Sequence, residues 1–351
     1  MSNQFLYVSS TISTTGHSST IHNNQNYTDK FKYPDVQQPK QPEKEQDFTG
    51  AVVLLAPPRK AGSIWNVDRF CYLLQAVRSV DTHLNSHYGP YPIIILVAKD
   101  YMFDPKGVDA VYTEEDRALI RQWAPNSTII FEELELYSGP ALEPNTTQTL
   151  IRKWRQGWDG SVPGRDLGYQ SMCRLWSGRI QALPFLQRYQ YYMRLDDDGL
   201  FIGKLTYDPF EKMKQSNLTY VFRRPSHDHW GIEKLWEIAQ PHLSLSQTLP
   251  FTERGEYHGS QPYNNFHISL TSFWTSPEWL SFWNDLNEQH AFFKYRVGDA
   301  NVHAIAVMMM KEGRYEMWPD IPYVHNSNDM PYEWGQLSKS WQTECHENYE
   351  K

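Results

Sequence analysis

Asp196, Asp197 and Asp198 close the apolar, aromatic run Tyr191-Tyr192-Met193-Arg194-Leu195. Such a run reads as a strand, and in an α/β sheet the carboxyl end of a strand faces the ligand crevice. Adjacent carboxylates repel one another unless protons, basic neighbours or a divalent cation neutralise them. Asp196 and Asp198, with one residue between them, therefore read as a grip on a cation and, through it, on a diphosphate. Oxygen ligands of this kind suit Mn²⁺ or Mg²⁺, ions that keep positions open for phosphate oxygens. The competing reading is an acidic surface turn, because Asp is common in turns.

A second group of chemistry-bearing residues lies in Phe292–Ala306, where Gly298-Asp299 reads as a turn with an Asp N-cap. His303 then sits one helical turn on, roughly on the face of Asp299, so a carboxylate and an imidazole are presented together. Taken alone, the segment fits a capping Asp and a hydrogen-bonded core His. Taken with the acidic triplet, His303 is expected as a further metal ligand through a neutral ring nitrogen. Gly168–Arg174 opens the helix before the acidic strand. Helix N-termini favour anions, so Arg174 suits a phosphate and Tyr169 a base or ribose face, although a solvated Arg and a packed Tyr fit equally. Arg59, after the first strand, has the same two readings.

The elements that must position these residues alternate along the chain. Ala51–Ala56 is a continuous apolar run suited to a buried parallel strand. Phe70, Leu73, Leu74, Val77, Val80 and Leu84 recur at helical spacing, and Pro92–Val97 supplies a second buried strand. Thr113-x-x-Asp116 is a capping-box pattern ahead of a short helix, and Thr128–Phe131 reads as a third strand. Met172, Leu175, Trp176, Ile180 and Leu183 mark a helix leading into the acidic strand. Short strands near Tyr220 and Phe266 and a helix from about Asp299 to Met310 follow. Strands alternating with helices predict an α/β fold, a mostly parallel sheet with helices on both faces. Residues 1–48, rich in Ser, Thr, Asn and Gln, cannot bury enough apolar area to order themselves and are expected to be a flexible tail or stem.

Composition narrows the function classes. The chain has 351 residues, a net charge of −8 and 15% aromatic residues, enough to bury a core in one large or two intimate domains. The acidic excess argues against a nucleic-acid partner, whose phosphates need basic patches. Cys71, Cys173 and Cys345 allow at most one internal bridge and no cysteine-rich zinc site. Asn26, Asn126, Asn145 and Asn217 each begin a triplet of the glycosylation-acceptor pattern. No stretch is long and apolar enough to span a bilayer, and the N-terminus lacks the basic-then-apolar pattern of a signal peptide.

Four co-linear segments resemble the Golgi α-1,2-mannosyltransferases of glycosyltransferase family 15. Tyr169–Leu175 matches a Tyr-Arg-His-Met-Cys-Arg-Phe-like segment. Tyr191–Asp198 matches Tyr-Tyr-Trp-Arg-Val-Glu-Pro-Asp, with Asp196 where the family has Glu. Phe292–Ala306 closely matches a stretch containing Gly-Asp-Ala-Pro-Val-His, and Asp320–His325 resembles Asp-Ile-Gly-Tyr-Gln-His. The resemblance implies a GT-A-type nucleotide-sugar transferase fold over 49–345, with a nucleotide-binding half at 49–200 and an acceptor-side half at 201–345. It also implies a GDP-mannose donor, a mannoside or glycan acceptor, Mn²⁺ (with Mg²⁺ as the alternative), retention of configuration, and a Golgi or secretory setting. Carried over by position, Asp196, Asp198 and His303 hold the metal, Arg59, Tyr169 and Arg174 contact the nucleotide or diphosphate, and Asp299 orients the acceptor or His303. Two departures stand out. His267 occupies the position of a family carboxylate and is a catalytic candidate of altered chemistry, and Trp-Ser-Tyr-Pro appears only as Tyr137-Ser138-Gly139-Pro140. They leave room for another nucleotide sugar, or for a carbohydrate-binding protein without turnover on the same scaffold.

Overall fold

The apolar run from Gly50 becomes β1 (Gly50–Leu55), a strand buried on both faces. The computed structural model describes residues 49–57, 59, 63–64, 67–98, 112–136, 167–244, 250–310, 313–325 and 345. The expected tail at 1–48 and the Tyr137–Pro140 segment lie outside them. All described residues belong to one compact unit, Gln46–Lys351.

Around β1 the chain builds β2 (Ile93–Ala98), β3 (Ile129–Leu134), β4 (Tyr191–Leu195), β5 (Gly199–Phe201), β6 (Tyr220–Phe222), β7 (Phe266–Leu270), β8 (Tyr315–Met317) and β9 (Tyr323–His325). Seven of these form one sheet in the order β8-β6-β7-β4-β1-β2-β3. β1 runs parallel to both β2 and β4, β3 is parallel to β2, and β7 is antiparallel to its neighbours β4 and β6. The sheet is thus mostly parallel, as expected, with an antiparallel strand inserted beside the acidic one. From β1 the chain first steps outward to β2 and β3, then returns to the other flank of β1 with β4. The strand order reverses there, and a reversal in a parallel sheet opens a crevice at the carboxyl ends of the two strands.

Side chains alternate across the sheet with period two, so each strand feeds two cores. Val52, Leu54, Ile93, Ile95, Met193 and Leu195 face one, and Ala51, Val53, Ile94, Leu96 and Tyr192 face the other. The first core is covered by α1 (Arg69–Val80) and α2 (Glu114–Trp123), the latter opened by the expected Thr113/Asp116 capping box. The second is covered by α3 (Leu167–Arg174), α4 (Ile232–Ala239), α5 (Pro277–Glu288) and α6 (Asp299–Met309). Helices on both faces match the expected layering. The helix expected through Leu183 is α-helical only to Arg174, then widens to a π-turn over Leu175–Arg179 and tightens over Ile180–Ala182. In the wide turn Ser177 donates to the Cys173 carbonyl, and Gly178 lies so close to Trp279 and Trp283 that a Cβ there would meet them at 3.1–3.2 Å.

Cys71 in α1 is disulfide-bonded to Cys345, and Cys173 is a buried free thiol. That is the single bridge the cysteine count permits.

Candidate metal centre

Asp196 follows β4 directly at the reversal of strand order. Its backbone N–H donates to the Asn265 carbonyl (3.1 Å) and its own carbonyl accepts from Gly199 N–H (2.9 Å). A tight turn therefore carries the three acids from β4 into β5. β5 pairs antiparallel with β9, in the register His325↔Gly199. This pairing sets an imidazole opposite the residue that follows the acids. Gly199 is needed there, since a Cβ would lie 2.3 Å from the Tyr323 hydroxyl.

Asp196, Asp198 and His325 each present a ligand atom within 4.8 Å of the others. His325 Nε2 lies 2.9 Å from Asp198 Oδ1 and 3.7 Å from Asp196 Oδ2. Their side chains keep 24%, 18% and 15% of their surface respectively, so a ligand can reach the cluster. The donor set fits a divalent cation: two carboxylates supply hard oxygens, and the imidazole tilts the preference from Mg²⁺ towards a transition ion such as Mn²⁺.

The three acids have separate surroundings. Asp197 is turned away from the cluster into Arg69, with Arg69 Nη2 at 2.8 and 2.9 Å from the two carboxylate oxygens and Nε at 3.2 Å. Burial, with the neighbouring acids, still pushes Asp197 up to about 6 against the pull of Arg69. Burial raises Asp196 as well, opposed by the Arg194 and His325 charges. Burial would raise Asp198 too, but the hydrogen bond and charge of His325, helped by Arg69, hold it below the usual carboxylate range. In return the acids lift the His325 imidazole above its ordinary value despite burial.

Arg194 braces this arrangement from inside. It is 2% exposed, its Nε and Nη2 each 2.9 Å from Asp196 Oδ1, its Nη1 donating to Asp299, and its guanidinium 4.4 Å from the Trp176 ring centroid. Asp299 also accepts from Asn264 Nδ2 at 3.0 Å. Burial would raise its carboxyl, but the Arg194 charge outweighs that and holds it low. The helix cap falls on Gly298, not on Asp299 as the sequence suggested, because the Asp299 carboxylate is committed to Arg194.

His303 does not join the acids, which corrects the expectation that it ligates the metal. It is fully buried, with Nε2 2.9 Å from the Trp176 carbonyl and Nδ1 2.8 Å from the Tyr220 hydroxyl, so both nitrogens are committed. Burial lowers it to about 4 against the pull of the Trp176 carbonyl. It is the core histidine that its segment suggested when taken alone. His267 is likewise fully buried between the Asn264 carbonyl and the Tyr192 hydroxyl, each at 3.0 Å. Desolvation, with the nearby His303 and Arg194, holds it well below its ordinary value. A neutral imidazole closed off in this way is no nucleophile or base for a bound substrate, and the expectation of a catalytic role is corrected.

The nucleotide candidates sit in mixed settings. Arg59 lies beyond the carboxyl end of β1 as expected, but it is buried, 2.7 Å from Asp116 Oδ1 and stacked 4.0 Å over Phe70. Arg174 is buried with Nε 2.7 Å from Asn287 Oδ1 on α5, and Tyr169 is half-buried against the same core. The structure thus gives both arginines protein partners. Reading the sequence by local spacing missed Arg69, Arg194 and His325 as parts of the site. The sequence signal for His325 is the resemblance of Asp320–His325 to a family segment, which by itself assigns the histidine no role.

Comparison with known proteins agrees with this architecture. The model of a family described as glycolipid 2-alpha-mannosyltransferase matches residues 19–350. The O-glycoside alpha-1,2-mannosyltransferase omh1 of Schizosaccharomyces pombe is 30% identical over 175 residues, 47% of this chain and 43% of that protein. The glycolipid 2-alpha-mannosyltransferase of Saccharomyces cerevisiae is 26% identical over 271 residues, 73% of this chain and 58% of that protein. The chain therefore spans about half the length of these curated relatives. Among solved structures, core-mannan synthase A from Aspergillus fumigatus in its Mn/GDP form superposes with a TM-score of 0.62 at 21% identity, covering 84% of this chain and 83% of that one. The fold is of the GT-A-like type expected.

Proposed function

We propose, from the premise that this chain belongs to the glycolipid 2-alpha-mannosyltransferase family, that it transfers mannose from GDP-mannose to a hydroxyl of a mannoside or glycan acceptor, forming an α-1,2 linkage. The observation that carries the reading is the Asp196–Asp198–His325 cluster at the reversal of strand order. That is where an α/β sheet binds nucleotides. Asp196, Asp198 and His325 are assigned to hold Mn²⁺, which when bound supplies Lewis-acid neutralisation of a departing diphosphate. The nucleotide is assigned to the half at 49–200 and the acceptor to the half at 201–345. The Cys71–Cys345 bridge supports an oxidising compartment of the secretory pathway, since such bonds are rare in cytosolic proteins.

The chain's own residues set the rest of the mechanism. Arg194 spreads its charge over Asp196 and Asp299, which opposes the effect of burial on Asp196 and aims it at the cluster. Asp299 acts through Arg194, as a positioning residue. Asp197 is spent on Arg69. With His267 neutral and enclosed, position 267 offers no partner for a covalent sugar adduct. Retention is therefore assigned to attack on the face from which the diphosphate departs, the acceptor proton passing to the leaving phosphate oxygen. The same feature favours one rival reading, a carbohydrate-binding protein without turnover.

The deciding experiment incubates the full chain with Mn²⁺, GDP-mannose and simple α-mannosides. It measures released GDP and the anomeric configuration of the product. Transfer with retention, reduced more than about 100-fold in Asp196→Ala, is the expected result. Glycan binding with no GDP release would select the rival.

A further inference from the structure

Resting on the reading that Asp196, Asp198 and His325 hold a divalent cation, we propose that Tyr263 is a positioning residue that fixes the tautomer and aim of His325. The Tyr263 hydroxyl lies 3.1 Å from His325 Nδ1, and the two rings stand nearly perpendicular, at 86°. The other nitrogen, Nε2, is the one that points into the acidic cluster, 2.9 Å from Asp198 Oδ1. One imidazole is thus divided between a tyrosine hydroxyl and the candidate metal position.

The division matters chemically. An imidazole that gives its Nε2 lone pair to a cation must carry its remaining proton on Nδ1, and the group beside Nδ1 decides whether that tautomer is held. The Tyr263 oxygen accepts the Nδ1 proton and adds no negative charge to a turn already holding three carboxylates. His325 Nε2 already faces Asp198 Oδ1 at 2.9 Å while Nδ1 faces the Tyr263 hydroxyl, so the ring has the orientation that a cation at the cluster requires.

Tyr263 is itself held from two sides. Its backbone N–H donates to the Arg224 carbonyl at 2.9 Å, and the Arg224 guanidinium stacks 4.2 Å from its ring centroid. It leaves the short strand Ser260–Pro262, which pairs antiparallel with Pro225–His227, so a local ladder fixes Tyr263 relative to Arg224. The hydroxyl position is therefore set by elements other than β9, as a support for a β9 ligand requires.

Tyr263→Phe tests this directly, because it keeps the ring under Arg224 and removes only the hydroxyl. Mn²⁺ is titrated into the metal-free full chain, with free Mn²⁺ followed by electron paramagnetic resonance and thermal unfolding recorded without metal. The expected result is Mn²⁺ affinity weakened about 10- to 100-fold with the metal-free unfolding temperature unchanged. Equal affinity of Tyr263→Phe and wild type, while Asp196→Ala has lost binding, would overturn the role of Tyr263 and leave the metal centre standing. Failure of the wild type to bind Mn²⁺, or binding by Asp196→Ala as tight as wild type, would instead bring down the metal reading and this proposal with it.

Discussion

Arg194, Asp196 and Asp299 are three charges that stability forces to act as one. Arg194 and Asp299 are almost wholly enclosed, so either one left alone would be an uncompensated charge in the interior. Removing one partner of such a pair typically costs about 3–5 kcal/mol. Arg194→Met is therefore expected to lower unfolding stability in urea by roughly that amount. Arg194→Lys keeps the charge but cannot reach two acids with a planar fork, and should fall in between. The acidic pair Asp196 and Asp198 was legible in the sequence because carboxylates at a strand end are a local signal. The histidine was not. His303 lies one turn from Asp299 and satisfies the local pattern, yet its nitrogens are taken by Tyr220 and the Trp176 carbonyl. Those contacts cross the sheet core, and no spacing in one segment reveals them.

At the scale of elements, the site is made by a strand pair too short for periodicity to register. β5 and β9 have three residues each, and their antiparallel register sets His325 opposite Gly199. The long apolar runs of β1, β2 and β4, the capping box of α2 and the span of α6 were all readable, because each writes its own period or cap into contiguous residues. β9 becomes a strand only because β5 is there to pair with. Gly199 is where that dependence can be tested. A methyl group there would sit 2.3 Å from the Tyr323 hydroxyl and 2.8 Å from its ring, inside a buried contact. Overpacking of this kind costs about 1–3 kcal/mol. Gly199→Ala should lower the unfolding midpoint accordingly and, by displacing β9, weaken Mn²⁺ binding as well. Gly203→Ala meets only ordinary contact at 3.8 Å from Pro322 and should leave both unchanged. A Gly199→Ala variant that keeps full Mn²⁺ affinity would show that the β5–β9 register does not set His325.

Taken as a whole, the molecule spends its interior on neutral polar rings as well as on apolar packing. Tyr192, Tyr220, His267 and His303 lie together between the sheet and α6, all fully buried, with ring-centroid separations of 4.8–5.6 Å among them. Their hydrogen bonds run to uncharged partners: one another, a side-chain amide and backbone carbonyls. Tyr192 receives Gln181 and donates to His267, Tyr220 donates to His303, and the remaining histidine protons go to backbone carbonyls. A charge added to either histidine would be buried away from water with the positive Arg194 nearby, and at His303 the Asp299 charge offsets this only in part. Folding therefore depends on pH with a definite sign. His303 titrates near 6.5 when unfolded and at about 4 when folded, so between those values the unfolded chain binds more protons. Stability rises with pH across that window and is lost as pH falls through it. For His303 alone the loss between pH 7.5 and 5 is about 2 kcal/mol, and His267 acts in the same direction. His325 and Asp197, both raised on folding, oppose the trend, so the comparison must be made against a variant. Urea midpoints of wild type and His303→Gln, recorded at pH 7.5 and 5, separate the contribution. The wild type should lose more stability on acidification than the variant by about 2 kcal/mol. Parallel losses would mean that His303 titrates inside the fold as it does in the unfolded chain.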